Sequence, residues 1–353
     1  MKKVNKGEVM EELLRDYFMQ AGYYVVRGVP FVYEGFDITD IDLWLYSRTS
    51  SISREITIVD IKNKKTPQAI ERIFWTKGLA EAVGAGNAIV ASTEKRSEVK
   101  DFGRKLNITV LDGNFLSKLQ KSQTRLEMRI SDEELFHLFD NYGLGKLDGD
   151  WKQRILDSKG LLSQGLNFDN CNSWINQAYF FLEQILTKPN QKEIASRSFY
   201  YLMSLVCIGI DFLLKELSYL TVDERIVKLA DGFTYGTKGR DGMRKLIELS
   251  LSLVERFAYD GKITANQIRS NISTQFEMLP SQILGEYFSK REVYKNLFVV
   301  ARELESLAMN KTFKSHTDSS IELKSMIFCF LDYWNVPRKT LLMHSLFDKE
   351  ASQ

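Results

Sequence analysis

The chain has 353 residues, of which 44% are hydrophobic and 27% charged, and its formal net charge is +2. This is the composition of an ordinary soluble globular protein long enough for two domains; it excludes a disordered, collagen-like or disulfide-scaffold chain. A charge so near neutral gives no sign of a polyanion partner, although residues 1–125 hold 20 Lys and Arg against 16 Asp and Glu while the remainder holds 28 against 30.

The 3 cysteines, Cys171, Cys207 and Cys329, are far apart in sequence and match neither a metal-ligand pattern nor a disulfide framework. They suggest a reducing, cytoplasmic setting. Met1-Lys2-Lys3 is not followed by an apolar segment, so no secretory signal is expected. The strongest apolar run, Phe199–Leu214, is interrupted by Asp211 and followed by Lys215 and Glu216. A buried helix fits it better than a bilayer span, and no membrane partner is expected.

In chain order, apolar residues at helical spacing (Leu13, Leu14, Tyr17, Phe18) predict a helix over 7–21, stopped by Gly22. Strands are expected at Tyr23–Arg27, Ile41–Tyr46 and Glu55–Lys62, the last with the β-branched core Ile56, Thr57, Ile58 and Val59. Thr66 and Pro67 suit the N-cap and first position of a helix reaching about Val83. Then come a strand at Asn87–Ser92, a helix at Glu94–Leu106, a strand at Ile108–Leu111 and a helix capped by Asp112 and reaching Leu119. This alternation implies a mixed sheet flanked by helices, an α/β domain over residues 1–122.

Beyond Lys121–Thr124 the pattern becomes helical throughout. Helices are expected at 132–141, 171–186, 192–218, 221–231, 241–260, 264–275, 278–288, 290–310, 318–334 and 337–347, an all-α domain over 131–353 with no fixed-period repeat. Its motifs do not state its role; recognition, dimerisation and partner binding all remain open.

The chain is organised around Asp37–Lys65, DITDIDLWLYSRTSSISREITIVDIKNKK. Along a strand side chains alternate, so Asp60 and Lys62 share one face, as do Asp40 and Asp42. Sheet twist and bend are expected to bring Asp42 beside Asp60. Two carboxylates and an ammonium drawn together out of water need a partner, and a divalent cation is the natural one.

Asp42, a gap of 17 residues, then Asp60-Ile61-Lys62 resembles the motif of the PD-(D/E)XK nuclease superfamily, which includes restriction endonucleases and Holliday-junction resolvases. The opening KGEVMEELL…GYYVVR, with Glu11 eleven residues before Gly22-Tyr23, resembles the start of archaeal resolvases and Mrr-type endonucleases, and the order of elements is similar too. The likeness covers about the first 115 residues. It implies a restriction endonuclease-like fold and Mg²⁺- or Mn²⁺-dependent hydrolysis of phosphodiester bonds in DNA. The implied catalytic residues are Glu11, Asp42, Asp60 and Lys62. Asp42, Asp60, the Ile61 carbonyl and Glu11 would hold the metal, with Asp40 competing for the place of Asp42, and Lys62 would orient or activate the attacking water. Restriction, repair, junction resolution and antiphage defence are all open, as are a homodimer and a helicase, ATPase or other defence-system partner.

Lys64, Lys65, Gln68 and Arg72 follow the motif and read either as phosphate contacts or as a solvated helix face. Gln68 resembles a glutamine that some branches of the superfamily place after the lysine; the tyrosine those branches have four positions later is Arg72 here. Gly232–Gly242 reads as a glycine-rich loop between helices, a plain connection or a nucleic-acid contact, without the ending of a P-loop. Arg338 and His344 resemble the Arg-x5-His motif of HEPN ribonucleases. Two further readings therefore stand beside the nuclease: a catalytically inactive nuclease-fold subunit for nucleic-acid binding or assembly, and a helical ribonuclease with an accessory domain.

Overall fold

The computed structural model describes residues 6–64, 68–121 and 128–340. Helix α1 (Lys6–Gln20) leads into three antiparallel strands, β1 (Tyr24–Tyr33), β2 (Phe36–Arg48) and β3 (Arg54–Lys62). Helix α2 (Ala69–Ala82) crosses to β4 (Asn87–Ser92), and α3 (Ser97–Lys105) to β5 (Ile108–Leu111); β3, β4 and β5 run parallel. The result is a five-stranded mixed sheet in sequential order, followed by α4 (Gly113–Lys121). The Asp112 carboxylate accepts from the Phe115 amide at 2.9 Å and caps that last helix as its sequence suggests.

Strand alternation assigns the two faces of the sheet. Val25, Leu43, Leu45, Val59, Ile61 and Ala91 pack under α1 and α4 through Met10, Leu14, Phe18 and Leu116. The opposite residues, among them Val26, Trp44, Tyr46, Ile58 and Val90, pack against Ile73 of α2, Val99 of α3 and the helical remainder of the chain in one continuous core. The helical part therefore covers a face of the sheet that the α/β segment leaves apolar.

That part consists of α5 (Asp132–Asn141), α6 (Trp151–Gly160), α7 (Phe168–Thr187), α8 (Lys192–Leu217), α9 (Val222–Tyr235), α10 (Gly239–Phe257), α11 (Gly261–Met278), α12 (Ser281–Phe288), α13 (Arg291–Met309) and α14 (Ile321–Tyr333), with short 3₁₀ turns between them. Among the described residues beyond 128, the only extended pairing is the bridge of Arg129 with Asn310. Helix α8 is buried on every side from Ile194 to Asp211, because α7, α13 and the sheet surround it. By length and composition Pro189–Leu217 would pass for a membrane span, yet 83% of its apolar window is buried inside the molecule.

Local expectations change at several points: β1 runs on through Pro30 to Tyr33, and β2 starts at Phe36 rather than Ile41. Helix α6 was not anticipated. Gly232–Gly242 is not a loop: α9 continues to Tyr235, a single turn spans Gly236–Lys238, and α10 starts at Gly239. Gly236 and Gly239 supply left-handed backbone (φ 68° and 65°), whereas Gly232 lies inside a helix because the Phe168 ring occupies the place of a side chain. Helix α2 begins at Ala69 with Gln68 in the N-cap position; Thr66 and Pro67 lie outside the described residues.

Candidate active site

The β2–β3 ladder runs from Arg48–Arg54 to Leu43–Val59 and ends there. One residue further along each strand stand Asp42 and Asp60, so the antiparallel register itself, rather than twist, sets the two side by side. From this point the strands part. β2 continues against β1 alone, pairing Ile41 with Val29 and Asp40 with Pro30, while β3 pairs Asp60, Ile61 and Lys62 with Val90, Ala91 and Ser92 of β4. The Ile61 amide donates to Asp42 Oδ2 at 2.6 Å, so a side chain satisfies a backbone donor where the β2–β3 ladder has stopped. The opening lies at the carboxyl ends of the parallel strands, where sheets of this kind place ligands.

Burial pushes the Asp42 carboxyl up to about 7. The Ile61 amide opposes that shift, the charges of Asp60 and Glu11 add to it, and Lys62 reduces it. Asp60 is 6% exposed. Its Oδ2 accepts from Arg72 Nε at 2.8 Å and its Oδ1 from the neighbouring guanidinium nitrogen, a bidentate ion pair made from the first turn of α2. Lys62 Nζ stands 3.9 Å from Asp60 Oδ1, with its side chain partly open to solvent.

Glu11 comes from α1, near enough for its charge to act on Asp42. Its Oε2 accepts from Arg27 Nε at 2.7 Å. Arg27 also donates to Glu12 at 2.8 Å and, through both terminal nitrogens, to Glu133 of α5 at 2.8 and 2.5 Å. Neither Arg27 nor Glu133 was singled out by sequence. A signal existed for the first, since a lone arginine in the apolar run YYVVRGVPF needs partners once its strand is buried.

Glu11, Asp42, Asp60 and Lys62 thus share one electrostatic neighbourhood. Asp40 is exposed and lines a separate groove with Asp37, Pro30 and residues of α6, so of the two candidates Asp42 is the one beside Asp60. Arg72, expected at phosphate, is bound to Asp60. Lys64 is exposed, its carbonyl accepting from Thr93 Oγ1 at 2.5 Å, and Gln68 is exposed with its amide 3.4 Å from Glu71 Oε1. Lys65 lies outside the described residues, as does His344; Arg338 is paired with Asp332.

The donor set suits a hard cation, since Asp42 and Asp60 offer carboxylate oxygens from adjacent register positions. Among the described residues, no three Asp, Glu, His or Cys side chains are gathered around a common point, so the set is two carboxylates, the number Mg²⁺ commonly takes from protein beside water and phosphate. Arg72 holds both oxygens of Asp60, and Arg27 holds Glu11. Ile61, expected to ligate through its carbonyl, has its amide engaged by Asp42. No family model matches the chain, and no curated protein or solved structure matches it significantly.

Proposed function

We propose that the chain is a metal-dependent endonuclease that hydrolyses phosphodiester bonds in DNA, acting in the cytoplasm in a restriction or antiphage role. The observation that carries the reading is the parting of β2 and β3 at Asp42 and Asp60, with Lys62 two residues further on the same face as Asp60. A strand pair held together only for stability has no need of two carboxylates at the point where its ladder ends. Asp42 and Asp60 would hold Mg²⁺ or Mn²⁺, with Glu11 as a further ligand directly or through water. Bound there, the cation would polarise a phosphate oxygen and acidify a water molecule. Lys62, with its ammonium 3.9 Å from Asp60 Oδ1 and partly open to solvent, would orient that water and balance charge on the phosphate. Lys64, Lys65 and Gln68 supply contacts for the flanking backbone.

One observation favours a second reading, a nuclease fold that binds nucleic acid without turnover: arginines neutralise Asp60 and Glu11, which an inactive descendant would retain for stability alone. Incubation of supercoiled plasmid with Mg²⁺, Mn²⁺ or EDTA separates the two. Metal-dependent nicking or linearisation, lost in Asp60→Asn and Lys62→Ala, supports the enzyme. Binding without cleavage in every metal supports the inactive subunit.

Cutting both strands of a duplex calls for two sites, and we propose that a second copy supplies the other. Helix α10 packs on α11 along one side and exposes Leu246, Leu249, Leu253 and Phe257 along another. The spacing of these four is nearly the same read in either direction, so two antiparallel copies present matching seams about a two-fold axis.

A further inference from the structure

We infer that Arg72 is an exchangeable counter-ion: it occupies Asp60 in the resting site, yields it to a divalent cation, and then binds the phosphate backbone, so that cation loading and nucleic-acid binding reinforce each other. This rests on the nuclease-fold reading above and adds to it a regulation of the same site.

The bidentate pair sets the starting point. Arg72 Nε and its neighbouring nitrogen cover both oxygens of Asp60. A cation that takes those oxygens competes with the guanidinium for them, because two positive groups on one carboxylate repel. Of the two groups, Arg72 is the one free to move. Asp60 is buried, and its backbone is fixed in the β3–β4 ladder. Arg72 sits in the first turn of α2 on a side chain that is partly exposed, and long side chains reach from such positions into solvent. Its guanidinium carbon already lies 5.6 Å from the centre of the Trp75 ring, and Trp75 is 44% exposed. The ring offers the released arginine a second resting place by cation–π attraction.

Charge then gives the exchange its direction. With both carboxyls ionised, Asp42, Asp60, Lys62 and Arg72 sum to a formal zero. A divalent cation on Asp42 and Asp60 raises that sum to +2 and frees a planar fork of donors that matches phosphate. Lys62 cannot take the same part, since a single ammonium 3.9 Å away leaves the Asp60 oxygens accessible.

The test uses the full chain and measures Mn²⁺ binding by calorimetry, with and without a phosphorothioate DNA duplex that resists cleavage, in wild type, Arg72→Gln, Arg72→Lys and Asp60→Asn. Without DNA, Arg72→Gln should bind Mn²⁺ at least about tenfold more tightly than wild type, and Arg72→Lys should fall between them. Duplex should tighten Mn²⁺ binding by wild type, and do so less for Arg72→Gln, which should also bind the duplex more weakly. Trp75 emission should change as Mn²⁺ is added to wild type and not to Arg72→Gln. If Arg72→Gln and wild type bind Mn²⁺ equally while Asp60→Asn does not bind it, the exchange is wrong and the metal site stands. If no variant binds Mn²⁺, or Asp60→Asn binds as wild type does, the metal reading itself fails and the exchange falls with it. Circular dichroism of Arg72→Lys, which keeps the charge, separates loss of binding from loss of fold.

Discussion

Arg27 and Glu133 are 106 positions apart in the chain and meet through two hydrogen bonds, 2.8 and 2.5 Å long, with the Arg27 side chain only 6% exposed. The same guanidinium holds Glu11, so a residue of the helical part helps to set where a candidate catalytic carboxylate lies.

Arg27→Ala should therefore be costly, because it removes the cation shared by Glu11 and Glu133 and leaves Glu12 with Arg15 alone. Breaking a buried ion pair from one side costs about 3–5 kcal/mol. Glu133→Gln keeps a hydrogen-bond acceptor on a more exposed partner and should cost about 1 kcal/mol. Urea unfolding of the two variants checks the order; equal midpoints would show that Arg27 is not the centre of the network.

Asp211 of α8 is fully buried and joins the helical part to the sheet. It accepts from Tyr46 Oη at 2.6 Å, from Arg48 at 2.9 Å, and from Arg54 at 2.5 and 3.1 Å. Asp211→Ala would leave Arg54 buried without its counter-charge, a loss of about 3–5 kcal/mol. Tyr46→Phe removes one neutral donor and should cost about 1 kcal/mol. Thermal melts of the pair should differ by several degrees, with Asp211→Ala the lower.

Two buried groups should oppose each other in the pH dependence of stability. Burial beside Lys324 and Lys192 holds the His316 imidazole down, to about 4. The unfolded chain binds that proton more readily, so stability is present above pH ~6.5 and is lost as pH falls toward 4, by at most about 3 kcal/mol. His316→Gln should flatten that limb of the profile. Asp42 behaves in the reverse sense. Its folded carboxyl holds a proton up to about 7, so the apo protein loses stability as pH rises from ~3.8 to 7. Asp42→Asn keeps an acceptor for the Ile61 amide and should be more stable than wild type at pH 8 in EDTA by about 2–4 kcal/mol, with the gap closing by pH 4. Urea titrations at pH 4, 6 and 8 show whether the two variants move in opposite directions.

The exposed stripe of α10 gives the dimer a direct check. Leu249→Glu with Leu253→Glu places like charges at the centre of a self-matching seam, and it leaves the buried Leu251 untouched. Light scattering at micromolar concentration should show wild type as a dimer and the double variant as a monomer with an unchanged melting temperature. A monomeric wild type would remove α10 as the interface.

What could be read locally is what period reports. A β-branched run marks β3, helical spacing marks the helices beyond residue 130 apart from α6, and strand alternation puts Asp60 and Lys62 on one face. These signals arise because one side of each element is buried, so the chain carries its own record of burial. Partnership leaves no such record. Gly232 looks like a loop residue, although it is needed for the approach of Phe168, and Arg72 looks like a phosphate contact, although it closes on Asp60. Arg27 with Glu133, and Arg54 with Asp211, stand more than a hundred positions apart. A buried charge announces that it needs a counter-charge, but which residue supplies it depends on how the helices close over the sheet, and only the tertiary structure decides that.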